Sequence, residues 1–105
     1  MDGMNDQLDI QASTLNSGHL LLVVRGEIEF RTAPMLRTAI DAARDGAGHH
    51  LTIDLAAVTF IDSSGLAVLI DASRQAPVTL RHPSPAVERA IAVTGVSSLL
   101  AIEPA

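Results

Sequence analysis

The chain has 105 residues, 48% of them hydrophobic, with a formal net charge of −5 and no cysteine. That length suits one domain that buries roughly two-thirds of its unfolded surface, and the apolar content exceeds that of a disordered chain. Without cysteine there is no disulfide framework, no thiolate nucleophile and no cysteine-based zinc site.

Phe30 and Phe60 are the only aromatic residues besides histidine, so the core is expected to be aliphatic. All seven basic residues are arginines, scattered with no run that could track a phosphate backbone, which argues against nucleic acid as a partner. His49 and His50 are adjacent, whereas two metal ligands on one face need helical or alternating spacing, so neither a metal nor another cofactor is expected. The N-terminal MDGMNDQLDI is acidic where a signal peptide is basic, and the longest apolar run, LLLVV, is far short of the ~20 residues that span a bilayer. The expectation is a cytoplasmic protein with no membrane contact.

In chain order, Leu8, Ile10 and Ala12 alternate with Asp9, Gln11 and Ser13, the period of a strand with one wet face. NSGH reads as a turn, and LLLVVRGEI, apolar on both faces, as a central strand antiparallel to the first. RTAPMLRTAIDAARDGAG reads as an amphipathic helix. Thr32 is its expected N-cap, Leu36, Ala39, Ile40 and Ala43 its inner face, Arg37 with Asp41 an exposed pair, and Gly46 its stop.

HHLTIDLAAVTFI returns as a strand, with Leu51, Ile53 and Leu55 on one face; Asp54 is read as satisfying nearby backbone groups and His49 and His50 as solvated. SSGLAVLIDASRQ follows as a well-buried helix, then VTLRH as a short strand. PSPAVERAIAVTG is a helix capped by Ser84, with Val87, Ala90 and Ile91 inward and Gly95 as its stop, and LLAIE a last short strand. Helices alternating with strands imply an α/β fold: a mixed, mostly parallel sheet of four to five strands with an antiparallel N-terminal hairpin, packed against helices. One domain spans residues 1–105, its core about 8–103.

The seam between the third strand and the second helix, Asp62-Ser63-Ser64-Gly65, lies where α/β sheets gather ligands, at a strand's carboxyl end beside a helix N-terminus. Capping explains one polar group there, not three. A hydroxyl at a helix N-terminus is also a well-placed phosphate acceptor, since the helix dipole favours the resulting dianion, while an acidic partner surface would reject it. A nucleophile elbow needs glycines two residues before and after the serine; Ser63 has Ile61 upstream and Ser64 has Asp62, so the pattern fails for both, and no spacing brings His19 or His82 up as base. The chain is not read as an enzyme.

VTFIDSSGLAVLI, from Val58 to Ile70, resembles the signature of the STAS domain family, in particular the bacterial anti-sigma factor antagonists. GEIEFRTAPML, from Gly26 to Leu36, is similar to the family's Gly-Glu-Leu-Asp…Thr-Ala-Pro stretch, and the likeness runs from about Leu8 to Gly95. It implies a STAS-type fold and a protein that binds an anti-sigma factor with serine kinase activity, releases the sigma factor held there, and is inactivated when the kinase phosphorylates Ser63. A phosphoserine phosphatase would restore it. The implied partner-binding residues are Glu27, Glu29, Thr32, Asp62, Ser63, Ser64, Gly65 and Leu66, with Asp62 orienting the hydroxyl and Ser64 also structural.

Two departures stand out. Glu29 replaces the family's aspartate, and the amphipathic helix that many members carry after the last strand is not evident before Ala105, so docking there is expected to differ. The alternative reading is a STAS scaffold subunit without a switch, in a stress-sensing complex or a lipid transport system. The Asp-Ser-Ser-Gly loop favours the switch, because a scaffold needs no hydroxyl at that position.

Overall fold

Alternating apolar residues build β1, Leu8–Thr14, whose inner row starts with buried Leu8 and half-buried Ile10 and then runs out into solvent, with Ala12 already exposed. It pairs antiparallel with β2, Leu20–Ile28, which pairs in parallel with β3, Leu51–Ile61. β4, Val78–Arg81, and the two-residue β5, Ala101–Ile102, complete a sheet in the order β1-β2-β3-β4-β5. The computed structural model describes residues 8–15, 18–44 and 50–103. Gly46, the expected helix stop, His49 and two residues of the NSGH turn lie outside them.

Three helices connect the parallel strands: α1, Ala33–Arg44, α2, Ser63–Gln75, and α3, Pro85–Thr94. Leu22, Ile53 and Leu80 stand in one cross-strand row and join Leu36, Leu69 and Val87 of the three helices in a single aliphatic cluster. The helices therefore share one sheet face, as sequential right-handed crossovers require. The opposite face carries Gln11, Ser13, Thr52, Asp54, Thr79 and Arg81, which explains why only one residue in two along β3 is fully aliphatic up to Leu55. Each fully buried leucine or isoleucine of that cluster contributes roughly 1.5–3 kcal/mol by leaving water.

Several side chains find other partners than their spacing suggests. Arg37 pairs with Asp71 on α2 at 3.0 Å instead of with Asp41 on its own helix. Arg44, at the end of α1, donates to the carbonyl oxygens of Ala72 at 2.9 Å and Ala76 at 2.7 Å, closing the C-terminus of α2 from outside. Burial lowers its pKa against the pull of Asp41, yet guanidinium remains charged at any ordinary pH. Arg44→Ala is expected to cost about 1 kcal/mol by urea unfolding followed by circular dichroism, and Arg37→Ala, on an exposed pair, no more than a few tenths.

His50 is not solvated. It is half-buried, with Nε2 2.6 Å from Thr79 Oγ1 and its ring stacked on His19 at 5.1 Å between centroids. Asp54 does satisfy local backbone, accepting from the Ala56 N–H at 3.0 Å.

Two features position the site. Between Val23 and Arg25, and again between Gly26 and Glu27, the β2–β3 register slips, with Gly26 at φ 106°. After the second slip Glu27 stands opposite Phe60 and Ile28 opposite Ile61, so both strands deliver their ends to one place. On its other side β3 pairs with β4 only over Leu51–Asp54. Its second half is flanked by α3, which Ser84 caps by accepting from the Val87 N–H at 3.2 Å and which Gly95 ends in the left-handed conformation at φ 71°. LLAIE yields less strand than expected, because Ser97–Leu99 closes a 3-10 turn first.

Candidate functional site

Asp62 follows β3 in an extended conformation and caps α2: Oδ1 accepts from the Gly65 N–H at 3.1 Å. Its other oxygen, Oδ2, accepts from the Phe30 N–H at 3.1 Å, and its own N–H donates to the Ile28 carbonyl at 3.0 Å. One residue thus ties the β2–α1 loop to the head of α2. Each carboxylate oxygen accepts one backbone hydrogen bond, and none joins the carboxylate to Ser63.

The facing loop is held from inside. Buried Thr32 precedes α1, but its hydroxyl does not cap that helix; Oγ1 accepts from the Glu29 N–H at 2.9 Å and donates to the Glu27 carbonyl at 2.8 Å. Glu29 in turn accepts from the Arg31 N–H at 2.7 Å and lies 3.8 Å from its guanidinium. The TAP segment therefore closes a small polar knot at the end of β2, where Glu27 stands opposite Phe60.

Ser63 is exposed at the first position of α2, and Ser64 is half-buried. Gly65 is buried because β2 and β3 leave no room: a Cβ there would lie 2.6 Å from Ile28 Cγ2 and 2.8 Å from Ile61 Cγ1. The glycine lets α2 start directly on the sheet, which fixes where Ser63 emerges. Of the expected partner-binding residues, Glu27, Glu29, Asp62 and Ser63 reach the surface, while Thr32 and Gly65 support it from beneath and Leu66 forms a wall.

That wall belongs to a groove of ≈ 410 Å³ running from Ser63 between the end of β3 and α3. Phe60 and Leu66 line one side, Ala86, Ala90 and Val93 the other, with Arg89 on the same face of α3. Exposure is high for apolar residues: 49% for Phe60, 79% for Val93 and, on the neighbouring loop, 75% for Phe30. Sequence reading missed all three and Arg89. The signal available was that the chain's only two phenylalanines both lie within the matched motifs, and that Phe60 has outward parity beside Ile61.

The surface is thus a solvent-facing hydroxyl on a helix N-terminus, next to the Asp62 carboxylate and continuous with apolar side chains. Neither His19 nor His82 lines it; His82 faces Asp54 at 3.5 Å. Among the described residues no group of three or more His, Asp or Glu could hold a metal ion, and no helix is long and apolar enough to cross a membrane.

Residues 12–101 match the family profile described as "Mlab, STAS domain". The sequence is 31% identical over 101 residues to a Listeria monocytogenes protein named anti-sigma-B factor antagonist, covering 91% of this chain and 89% of that one. An anti-sigma factor antagonist from Mycobacterium paratuberculosis has a similar crystal structure, with TM-score 0.83 and 30% identity over 95% of this chain and 88% of that chain. The fold is also that of the antagonist SpoIIAA in its unphosphorylated form, at TM-score 0.73 and 18% identity over 91% and 89% of the two chains. The chain belongs to the STAS domain family.

Proposed function

We propose that this protein is an anti-sigma factor antagonist: it binds an anti-sigma factor through the surface around Ser63 and so frees a sigma factor. The observation that carries the reading is the exposed Ser63 hydroxyl at the head of α2, with Asp62 fully engaged in the scaffold and Phe30 and Phe60 exposed on either side. The names of the Listeria and mycobacterial relatives support it.

In this reading the anti-sigma factor is also a serine kinase. It moves the γ-phosphoryl group of ATP to Ser63 Oγ; the O–P bond to ADP breaks, the new one forms, and the hydroxyl proton leaves to solvent. The product carries about −1.5 to −2 charges beside Asp62. The fold tolerates that anion at a helix N-terminus, whereas an interface shaped for a neutral hydroxyl does not. A phosphoserine phosphatase reverses the state. The chain is then a kinase substrate in the cytoplasm and performs no catalysis itself.

Affinity capture from native cytosol with wild type, Ser63→Ala and Ser63→Asp as baits tests this. An ATP-binding anti-sigma factor retained by the first two and lost with the third is the expected result. Scaffold or transporter components held equally by all three would replace it with the non-switching reading. Phe60→Ser should weaken capture roughly tenfold with little change in stability, since an exposed aromatic anchor contributes to binding and not to the core.

A further inference from the structure

The groove beside Ser63 contains one unexplained charge. Ala86, Arg89, Ala90 and Val93 follow one another at helical spacing and form the α3 wall, so a single cation interrupts an otherwise apolar strip. Asp62 is the only other ionisable group lining the groove, and both of its oxygens already accept backbone hydrogen bonds. Among the described residues Arg89 makes no ion pair, although Arg25, Arg31, Arg37 and Arg81 each have a carboxylate partner. A guanidinium with no ion pair among the described residues therefore lines the same groove as an exposed hydroxyl.

We infer that Arg89 is the internal partner of the phosphate carried by Ser63, reaching across the groove mouth to pair with it. The inference rests on the proposed modification of Ser63. A planar guanidinium matches phosphate oxygens in a bidentate fork, and its aliphatic stem can lie along apolar surface while the head pairs. The stem then lies over Leu66 and Phe60 and covers the apolar groove. Phosphorylation would therefore act twice: it adds charge at the head of α2, and it roofs the hydrophobic surface beside it. The role is a positioning one, and Arg89 has no part in the transfer step.

The test uses full-length protein with phosphoserine genetically encoded at position 63, titrated by phosphorus NMR. A paired cation favours the dianion, so the wild-type phosphate should titrate lower than that of Arg89→Gln, by roughly half a pH unit at low salt. Arg89→Lys should recover part of the difference. Arg74→Gln, which removes the same charge at the far end of α2, should titrate like wild type.

Coincident titrations of wild type and Arg89→Gln would overturn the inference. So would an equal change in Arg74→Gln, which would reduce the effect to net charge. Because the phosphoserine is encoded, the result does not depend on a kinase: a partner that never phosphorylates Ser63 would defeat the proposed switch while leaving this titration as it is.

Discussion

Ser63→Asp is expected to weaken binding to the purified anti-sigma factor by about a hundredfold, and Ser63→Ala by no more than a few fold. The argument is one of position. Ser63 is exposed at the first residue of α2, so the hydroxyl holds nothing together and its removal leaves no buried group unpaired. A carboxylate at the same point adds a second negative charge next to Asp62 in a chain of net charge −5. Against an interface that accepts the neutral form, such like-charge crowding costs about 3 kcal/mol, and every 1.4 kcal/mol is tenfold. Isothermal titration calorimetry measures it directly; with no Trp or Tyr in the chain, intrinsic fluorescence would report only the partner. Equal affinity for both variants would remove the electrostatic basis of the switch.

Gly65→Ala is expected to destabilise the fold by about 2 kcal/mol, although glycine to alanine within a helix ordinarily stabilises by up to ~1 kcal/mol. The sign reverses because the new methyl group would sit 2.6 Å from Ile28 Cγ2 and 2.8 Å from Ile61 Cγ1, side chains packed in the core. α2 must then lift from the ends of β2 and β3. That movement pulls on the two Asp62 hydrogen bonds that join the loops, so partner binding falls along with stability. Urea unfolding followed by circular dichroism gives the first number. The Ile28→Ala background isolates the cause, since removing Cγ2 should shrink the cost of Gly65→Ala. An unchanged cost there would mean that the close approach is not what requires the glycine.

Periodicity made most of the fold legible. β2 and α2 run over the residues read from the sequence, LLLVVRGEI and SSGLAVLIDASRQ, because each is a long run with an unambiguous period and a clear punctuating residue at its end. The Ser84 cap and Gly95 stop of α3 were equally plain, both being local chemistry. That the seam holds a helix cap was legible for the same reason, a strand running straight into a helix, whereas Asp62 as the capping residue and the tight approach at Gly65 emerge from the packing.

What stayed hidden depends on contacts between segments distant in the chain. Thr32 has the sequence position of an N-cap, yet its hydroxyl turns back to Glu27 and Glu29 because the loop has orphan backbone groups of its own. Arg37 reaches Asp71 because α1 and α2 lie side by side, a nearer opportunity than Asp41 one turn away. The groove exists because β4 is short and α3 takes its place against β3, a matter of length that no single motif encodes. Phe60 and Val93 become a surface only once that packing is made, and Arg89 gains its setting in the same way.

The most direct measurement incubates the protein with its anti-sigma factor and Mg-ATP, follows the complex by size exclusion and locates phosphate by peptide mass spectrometry. The account predicts one phosphoryl group, on Ser63, appearing in step with dissociation, and a Ser63→Ala complex that persists unlabelled. Phosphate on Ser64 alone, or a Ser63-phosphorylated protein that remains bound, would contradict it.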